Sequence, residues 1–303
     1  MRLNQLRVFL TIIDSGSIRG AARQLGVTQP AISKGLRQLE ESLHVRLLDR
    51  TQHGVVPTLA GRAFIGRARA VQSELRKAEE ELSQLAGERA GSVAFGFSLV
   101  ALQIIPQAFS RFREQFPDAR VRIVESVSHL LLPLVRDETL DFAIARWTGS
   151  KSDPSMAVRP LFECGMVVTG RTGHPLSNAG SLAELSDAEW AVVILPGLPG
   201  CVIERAYVSA GLQIPAKLTL FESFAALLVL IAETDLLAIV PRPLLDSTYA
   251  RAGLQAIPIK EPLPRDTISL ITRADARLTP MAASMVKEVT TVARRLVRGR
   301  QGA

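Results

Sequence analysis

The chain has 303 residues, of which 47% are hydrophobic, so it is long enough for two or three domains that each bury a core. No run approaches about 18 uninterrupted apolar residues, and the first residues lack the order of an export signal, which favours a cytoplasmic protein over a membrane-spanning or exported one. Cys164 and Cys201 are too few for a disulfide framework and lack metal-ligand spacing. We expect two partly buried thiols, with a redox-sensing pair as the alternative.

The net charge of +7 is confined to one end of the chain. Residues 1–69 hold 11 lysines and arginines against 4 acidic residues, whereas residues 70–303 hold 25 of each sign. A basic excess in one segment is typical of a region that meets a polyanion, and a neutral remainder is typical of an ordinary globular domain. The charge therefore predicts nucleic-acid binding near the N-terminus.

Capping residues divide this basic segment into three short helices. Asn4 is a good N-cap for a first helix, and Ser17 is one for a second helix that Gly26 ends. Thr28 can cap a third helix, with Pro30 in its first turn, where a missing N–H costs nothing. Two helices joined by a three-residue turn that contains glycine form the helix-turn-helix pattern.

The third helix has an apolar side and a polar side. The apolar residues share one side at helical spacing: Ile32, Leu36, Leu39 and Leu43. On the polar side, glutamine can pair with adenine, lysine and arginine with guanine or phosphate, and serine with either, from a helix that fits the major groove. A merely solvated side is the alternative, but the turn and the localised charge favour DNA. The predicted DNA contacts, two of them from the segment after the helix, are Thr28, Gln29, Pro30, Ser33, Lys34, Arg37, Arg50 and His53.

A small β-wing and a long helix follow. Gly54 and the β-branched pair Val55–Val56 predict the wing, which would carry Arg50 and His53 toward the DNA backbone. From Thr58 onward apolar residues repeat at alternating spacings of four and three, which over three heptads is typical of paired helices. The charged residues of 76–81 are expected on the outside, and the alternative is a helix packed inside one subunit. The predicted dimer seam is Phe64, Ala68, Val71, Leu75, Ala78, Leu82 and Leu85.

Residues 91–303 alternate apolar strands with amphipathic helices, which predicts an α/β domain with largely parallel sheets. The predicted strands are 93–97, 121–125, 142–145, 166–169, 191–194, 218–220 and 237–240. The predicted helices are 102–116, 130–137, 202–210 and 224–233, and a final helix from Pro280 to about Arg298 with Thr279 as its N-cap. Two lobes are expected, with the chain crossing near residues 161–165 and returning near 262–267, where Pro262 and Pro264 suit an extended connector.

Ligands in open α/β sheets bind beyond the carboxyl ends of strands, where helix N-termini present free N–H groups. Hydroxyl groups, N–H groups and one arginine at these ends suit a carboxylate or sulfonate, and Trp147 and Leu198 could face an apolar body. For each serine the alternative is a simple helix cap, and for Arg146 it is a surface ion pair. The predicted ligand-site residues are Ser98, Ser126, Ser128, Arg146, Trp147, Gly197, Leu198, Gly200, Cys201 and Ser223.

No catalytic arrangement is visible in the sequence. The four histidines are scattered, and we find no nucleophile elbow, zinc-protease motif, P-loop or dinucleotide-binding glycine motif. We therefore expect no enzyme, no catalytic residue, no cofactor and no metal site. A solute-binding protein is the rival interpretation of residues 91–303, but it would need an export signal and would not carry the basic segment.

Several stretches of residues 1–90 occur together and in register: Leu6–Phe9, Gly16–Ser17, Ala21–Ala22, Leu25, Gln29–Ser33, Leu39–Glu40, Leu47–Thr51 and Thr58–Gly61. In this combination they resemble the N-terminal region of LysR-type transcriptional regulators. His44 stands where the family usually has a helix-ending glycine, and Leu48 where it usually has phenylalanine. Stretches at 136–137, 140–143, 173–175 and 222–224 extend the resemblance to the family's effector domain, including a subgroup similar to regulators of toluenesulfonate degradation.

The resemblance implies a fold and a function. The expected fold is α/β, with an N-terminal winged helix-turn-helix, a long linker helix and a two-lobed effector domain like that of periplasmic binding proteins. The expected domains are 1–58 for DNA binding, 59–88 for the linker and 89–303 for effector binding, with lobe I at 91–162 and 267–303 and lobe II at 163–266. The expected function is transcription regulation by a homodimer or homotetramer that binds double-stranded promoter DNA and a small organic anion, with RNA polymerase as a further candidate partner.

Overall fold

The computed structural model describes residues 1–51, 54–85, 91–149, 153–245 and 253–301. Residues 1–69, called the head, contain three helices, a β-hairpin and the start of a long helix, so the predicted helix-turn-helix is confirmed. In chain order the elements are α1 (Leu3–Ser15), α2 (Ile18–Leu25), α3 (Gln29–Leu43), β1 (Leu48–Thr51), β2 (Gly54–Pro57) and α4 (Leu59–Leu85).

Local hydrogen bonds set the ends of the head helices. The Ser17 hydroxyl oxygen accepts a backbone N–H of the first turn at 3.0 Å, and Gly26 is left-handed with a φ of 66°, so both predicted ends of α2 are confirmed. The prediction of Asn4 as the first N-cap is wrong, because α1 begins earlier, with Arg2 at the cap position. There the Gln5 side chain accepts the Arg2 N–H at 2.7 Å and fixes the helix start.

An apolar core joins α1, α3 and the first turns of α4. Phe9, Ile12, Ile32 and Leu39 are fully buried, and the Phe9 ring lies 5.5 Å from the Phe64 ring. Burying each of these side chains stabilises the fold by roughly 1.5–3 kcal/mol. Helix α3 is thereby fixed against α1 and α2 with its apolar side inward.

The predicted wing is confirmed as an antiparallel hairpin of β1 and β2. It is tied to the helices at both ends. The Glu40 carboxylate of α3 accepts the backbone N–H groups of Leu47 at 2.8 Å and Leu48 at 3.2 Å. After the hairpin, the Thr58 hydroxyl oxygen accepts the Gly61 N–H at 3.0 Å and starts α4. The wing therefore moves with α3 and α4.

Helix α3 ends at His44, which adopts the left-handed conformation with a φ of 54°. Its backbone N–H is bonded to the carbonyls of Glu40 and Glu41, so the chain turns as it would at a terminal glycine. A side chain in this conformation costs roughly 1–2 kcal/mol. The departure from glycine thus keeps the geometry of the helix end and lowers its stability.

The described part of residues 91–301 forms two lobes that share one seven-stranded sheet. Its first elements are β3 (Ser92–Phe97), α5 (Ile105–Gln115), β4 (Arg120–Glu125), α6 (Ser128–Arg136), β5 (Phe142–Arg146) and β6 (Met156–Arg171). The following elements are β7 (Trp190–Val192), α7 (Val202–Ser209), β8 (Leu218–Leu220), α8 (Phe224–Glu233), β9 (Ala238–Pro241), α9 (Arg242–Leu245), β10 (Leu254–Ala256), β11 (Arg265–Arg273) and α10 (Pro280–Gln301). Two short 3-10 helices lie at Leu99–Gln103 and Ala183–Leu185.

The α/β class is as expected, but the prediction of largely parallel sheets is wrong. Strand β3 pairs in parallel with β4 and β5, and β7 pairs in parallel with β8. However, β11 lies antiparallel between β5 and β6, and β6 also pairs antiparallel with β9 and β10. The sequence predicts only residues 166–169 of β6 and does not predict β10 or β11. The strand order is β10-β6-β11-β5-β3-β4, with β9 also beside β6.

Strand β6 carries the chain from one lobe to the other without a break. Its residues 156–165 pair with β11, and its residues 166–171 pair with β9 and β10. The chain returns immediately before β11 begins at Arg265. We therefore use lobe I for residues 91–165 and 265–301 and lobe II for residues 166–264. The boundaries expected from the sequence, after 162 and before 267, differ from these by two or three residues.

Each lobe has its own apolar core. In lobe I the rings of Phe95 and Phe142 stack at 5.2 Å, and in lobe II Trp190 meets Tyr207 edge to face at 5.8 Å. Cys164 is buried in the first core and Cys201 in the second, both as free thiols. Burial raises the pKa of Cys201, which disfavours the reactive thiolate. Both thiols are more deeply buried than the partly buried pair that was expected, and this fits a structural role better than the redox alternative.

Helix α4 contacts lobe I through ion pairs on one side. The Arg76 guanidinium lies 3.1 Å from both Glu80 and Asp141, and the Lys77 ammonium lies 2.7 Å from Glu138. The expectation that the charged residues of 76–81 lie on the outside is therefore wrong for Arg76, Lys77 and Glu80. All three find partners on another part of the chain, Glu80 by accepting the Ser92 N–H and hydroxyl, which a helical pattern alone does not reveal.

Candidate DNA-reading helix and effector cavity

Helix α3 presents the predicted polar side to solvent. Thr28, Gln29, Pro30, Lys34 and Arg37 are exposed, and Ser33 is half-buried at the edge of the same side. Thr28 occupies the N-cap position, but its side chain makes no capping hydrogen bond. The opposite side of the helix is buried, so α3 cannot rotate these residues inward without exposing its core side chains.

The acidic residues near this surface are mostly engaged. Glu40 is bonded to the wing backbone, and Asp14 lies 2.9 Å from Arg69. Glu41 lies 2.7 Å from Arg37, with both side chains exposed. Such a surface pair contributes only about 0.3–0.5 kcal/mol, so a phosphate can take Arg37 from it at little cost. The head therefore keeps a positive potential along α3.

Two predicted DNA contacts belong to the wing. The backbone of Arg50 lies in β1, but its side chain and all of His53 lie outside what the structure describes. Arg46, immediately before β1, is exposed and lines one open concavity with Lys34 and Arg37. The sequence analysis missed Arg46, because its place beside α3 depends on how the chain turns after His44.

The predicted dimer seam divides into two parts. Phe64 and Ala68 pack in the core of their own head, because α4 starts against α1. Further along, Val71, Leu75 and Leu82 are between 40% and 67% exposed, and Ala78 is exposed as well. The side chain of Leu85 lies outside the described residues. The middle of α4 thus carries an apolar stripe that its own chain leaves uncovered.

A cavity of about 540 Å³ lies between the two lobes. Lobe I borders it at the carboxyl ends of β3, β4 and β5, and lobe II borders it with the loop after β7 and the residues between β8 and α8. This position follows the rule that placed the ligand beyond the strand ends. Six of the ten predicted residues lie in its lining: Ser98, Ser126, Ser128, Arg146, Leu198 and Gly200.

Two polar atoms of the lining lack protein partners. Ser98 follows β3, where its N–H donates to the Ile144 carbonyl at 2.9 Å and fixes its place. Its Oγ atom is buried and has no hydrogen-bond partner among the described residues, and the same holds for the Nδ1 atom of His129 in the first turn of α6. Leaving a buried polar atom unsatisfied costs about 1–3 kcal/mol. A ligand that bonds to these atoms would recover that cost.

Arg146, at the end of β5, brings positive charge to the cavity. Its Nε atom lies 3.5 Å from Asp266 Oδ1, and the same oxygen lies 2.7 Å from Arg205 Nη2. Burial lowers the pKa of Arg146, an effect that Asp266 opposes and Arg205 reinforces. The guanidinium nevertheless stays protonated at neutral pH. Because two guanidinium groups share one carboxylate, this cluster of three side chains carries one net positive charge, and Arg146 and Asp266 are its members in the cavity lining.

Gly200 allows the lobe II loop to approach this cluster. It has a φ of 106°, and a Cβ atom there would lie 3.0 Å from Arg146 Nη2. Glycine tolerates this conformation and leaves the space open. The absence of a side chain at Gly200 therefore leaves space for the Arg146 guanidinium.

Four predicted ligand-site residues lie outside the lining. Trp147 packs against the apolar cluster beside β5, on the opposite side from Arg146, as successive residues of an extended chain do. Cys201 is buried in the lobe II core. The Gly197 N–H donates to a glutamate carboxylate. The Ser223 hydroxyl caps α8, which is the role of a simple helix cap that the sequence analysis gave as the alternative for each serine.

The sequence analysis also missed several lining residues. Glu125 ends β4 and Glu222 precedes Ser223, so the rule of strand ends could have found both. Asp266 lies in β11, far along the chain from Arg146, and no sequence signal points to it. Within the described ranges, no cluster of histidine, cysteine and acidic side chains is suited to a metal ion. None of the described helices is long and apolar enough to cross a membrane.

Two family models match the chain. The model described as "Bacterial regulatory helix-turn-helix protein, lysR family" matches residues 3–62, which contain α1 to α3 and the wing. The model described as "LysR substrate binding domain" matches residues 86–294, which contain lobe II, all of lobe I except the end of α10, and the cavity lining. The second match alone spans more than half of the chain.

Curated relatives match over nearly their whole length. "HTH-type transcriptional regulator TdcA" of Escherichia coli (strain K12) is 28% identical over 290 residues, covering 94% of this chain and 91% of TdcA. The "SDS degradation transcriptional activation protein" of Pseudomonas sp. (strain ATCC 19151) is 29% identical over 301 residues, covering 93% of this chain and 94% of that protein. Both relatives are named as transcription regulators, in line with the expectation of a protein that is not an enzyme.

A solved structure of similar fold is that of CbnR, described as a LysR family transcriptional regulator. It superimposes with a TM-score of 0.68 at 20% identity, covering 97% of this chain and 99% of CbnR. The structure of CbnR complexed with its target DNA gives a TM-score of 0.66. At this identity the likeness concerns the fold. With the two family matches, it follows that this chain belongs to the LysR family and is a DNA-binding transcriptional regulator with an effector-binding domain.

Proposed function

We propose that the protein reads promoter DNA with α3 as a paired molecule and responds to a small organic carboxylate or sulfonate, aromatic or aliphatic, in the cavity between its lobes. The observation that carries the DNA part is the exposed polar side of α3 above a largely buried apolar side. The name of the CbnR complex, which contains target DNA, supports the same mode of action. The proposed domains are 1–58, 59–88 and 89–303.

Base readout by α3 can be tested with two truncations. Gln29→Ala and Ser33→Ala remove groups that can bond to base edges, so each should weaken specific binding by about 1–3 kcal/mol and leave non-specific binding nearly unchanged. Gln213→Ala, which truncates an exposed glutamine of lobe II, is the matched control. Titration of promoter and unrelated duplexes by fluorescence anisotropy measures both affinities. Equal losses on the two duplexes would remove direct readout by these residues.

Phosphate contacts should supply much of the affinity. Lys34, Arg37 and Arg46 lie on or next to the α3 surface, and Arg50 belongs to strand β1 of the wing. Because each neutralised phosphate releases counterions, log K should fall linearly with log salt concentration. Paired heads also predict an inverted repeat with half-sites one helical turn apart or a multiple of it. A salt-independent affinity would contradict the proposed surface.

Pairing is proposed to occur through the uncovered stripe of α4. Leu75→Glu places a charge in that stripe and should give monomers that bind promoter DNA poorly. Val208→Glu is the matched control, because Val208 is also an exposed apolar residue of a helix but lies in lobe II, outside the stripe. Light scattering measures the mass, and a tetramer is the assembly expected from the family. An unchanged mass for the Leu75 variant would exclude the stripe as the seam.

The anion site is supported by the unpartnered Ser98 hydroxyl and His129 ring nitrogen and by Arg146, three residues that line the same cavity. One relative is named for SDS degradation, and SDS is an organic sulfate. A thermal-shift screen of organic acids and sulfonates tests the class, since a ligand at 100 times its Kd stabilises a protein by about 2.7 kcal/mol. Ser98→Ala should weaken the response to a hit and spare promoter binding. Ser209→Ala, an exposed serine of α7, is the control.

A further inference from the structure

The two sides of the cavity differ in chemistry. Lobe I supplies three serines, His129, Arg146, Asp266 and Glu125 to the lining. Among the described lining residues, lobe II supplies one charged side chain, Glu222, and otherwise apolar groups and a glycine. A ligand that fits both sides must therefore be polar at one end and apolar along the rest of its length.

Leucines at the edge of this cavity are left open to solvent. Leu195, Leu198 and Leu220 of lobe II and Leu130 of lobe I all belong to the lining, and each is between 40% and 55% exposed. Single exposed leucines are ordinary, but four around one cavity form an apolar rim. An apolar ligand group that contacted this rim would bury leucine surface that is otherwise exposed to solvent.

The volume sets the size of that group. An engineered apolar cavity of about 150 Å³ holds one benzene molecule, so a single-ring acid would fill roughly a third of the 540 Å³ present here. On the same scale a linear chain of roughly eight to twelve carbons fills about half of it and leaves room for a head group and water. The acids also limit the charge. Glu125 and Glu222 are exposed on opposite lobes and disfavour an anionic group anywhere in the cavity except next to Arg146, which leaves room for one such group.

We propose that the effector is an amphiphilic monoanion, with a sulfonate, sulfate or carboxylate head held by Ser98 and Arg146 and a linear alkyl chain of roughly eight to twelve carbons lying along lobe II toward the leucine rim. This inference rests on the proposed function, namely that the cavity binds an organic anion. It adds the length and the aliphatic character of the part that does not carry the charge. Each further methylene then displaces water from apolar wall.

Calorimetry on the full chain with hexane-, octane- and decanesulfonate, each below its micelle concentration, tests this inference. Each added methylene should tighten Kd by roughly three- to fourfold, with one molecule bound per chain. Benzenesulfonate should bind more weakly than octanesulfonate. Decanol, which has the tail without the charge, should bind far more weakly than decanesulfonate.

Two variants locate the two ends of the ligand. Leu198→Asn should reduce the gain in affinity per methylene, whereas Val208→Asn, at an exposed apolar residue outside the cavity, should leave it unchanged. Arg146→Gln should weaken all three sulfonates by a similar factor. It should not expose an unpaired buried carboxylate, because Asp266 keeps Arg205 at 2.7 Å.

The outcomes separate this inference from the proposed function. An affinity that does not change with chain length but is still lost in Arg146→Gln would overturn the alkyl chain and leave an anion site. An affinity that Arg146→Gln and Ser98→Ala do not change would overturn the anion site itself. Several molecules bound per chain, or equal binding of decanol, would mean adsorption to exposed apolar surface and would also overturn the inference.

Discussion

Asp141 joins the linker helix to lobe I, and replacing it with asparagine tests how much that contact contributes. Its side chain is 1% exposed. One carboxylate oxygen lies 3.1 Å from the Arg76 guanidinium, and the other accepts the Ala94 N–H at 2.8 Å. Asparagine has the same shape and keeps one acceptor, but it presents an N–H2 group to one of the two donors. Asp141→Asn therefore removes one charge-assisted hydrogen bond.

The magnitude follows from the burial of the two partners. A hydrogen bond to a charged group contributes about 1.5–3 kcal/mol to stability. Because the Arg76 side chain is 32% exposed and also contacts Glu80, water and that carboxylate offset part of the loss. We expect Asp141→Asn to destabilise the effector domain by about 2 kcal/mol. Asp141→Ala also leaves the Ala94 N–H without its acceptor, so it should cost about 1–3 kcal/mol more.

Denaturant unfolding followed by tryptophan fluorescence measures this effect, because both tryptophans lie within residues 91–301 and report on that domain. A double-mutant cycle of Asp141→Asn with Arg76→Gln should give an interaction energy of about 0.5–3 kcal/mol. Glu79→Gln, at an exposed position of the same helix, is the control. Strict additivity of the two variants, or wild-type stability of Asp141→Ala, would refute the reasoning.

Three further predictions concern single positions. His44→Gly should stabilise the head by roughly 1 kcal/mol in thermal unfolding, because glycine adopts the left-handed conformation without strain; a loss of stability would mean that the His44 side chain makes up for that strain. Gly61→Ala should destabilise the head by about 1–3 kcal/mol, because the new Cβ would lie 2.0 Å from the Leu47 carbonyl oxygen; a neutral effect would mean that the wing shifts freely. Glu288→Gln should flatten the acid side of the stability curve: its bond to Arg111 lowers its pKa below the ordinary 4.5, so its contribution is present above that value and is lost as pH falls through the lowered one. An unchanged pH dependence would show that this bond does not persist in solution.

Glu114→Gln is the control for the acid titration. Glu114 is exposed on α5, whereas Glu288 is nearly buried between α5 and α10 at 2.6 Å from the Arg111 guanidinium. The exposed variant should therefore follow the wild-type curve between pH 5 and 3, and only the buried variant should diverge from it. The comparison isolates the one ion pair from the general effect of protonating carboxylates.

The helices and the wing of the head could be predicted from the sequence because contacts between residues close together in the chain determine them. Ser17 and Gly26 set the ends of α2 by bonds within one turn, and the spacing of Ile32 and Leu39 sets the buried side of α3. The cap at Asn4 failed because a competing local bond, from the Gln5 side chain, starts the helix earlier. Local signals therefore decide the elements and compete over their exact ends.

The pairing of the strands in the large sheet was harder to predict, because its antiparallel strands pair with residues that are far away in the sequence. Residues 156–165 of β6 pair with β11, about a hundred positions away, and are largely exposed along one stretch that includes Pro160, so they show no clean alternation. The strand-end rule located Ser98 and Arg146, whose positions follow directly from β3 and β5. It could not separate Arg146 from Trp147, which points the other way, nor find Asp266, whose neighbours come from distant segments.

Strand β5 has a different neighbour at each end. Asp141, just before it, is bonded to the linker helix, and Arg146, its last residue, lies in the cavity. Five residues of extended chain span about 16 Å, and β5 is clamped by ladders to β3 and β11 on its two edges. A strand that is hydrogen-bonded to neighbours on both edges is held in a fixed register. The residue that lines the cavity and the residue that bonds to the linker helix therefore lie about 16 Å apart along one strand, a distance shorter than that helix itself.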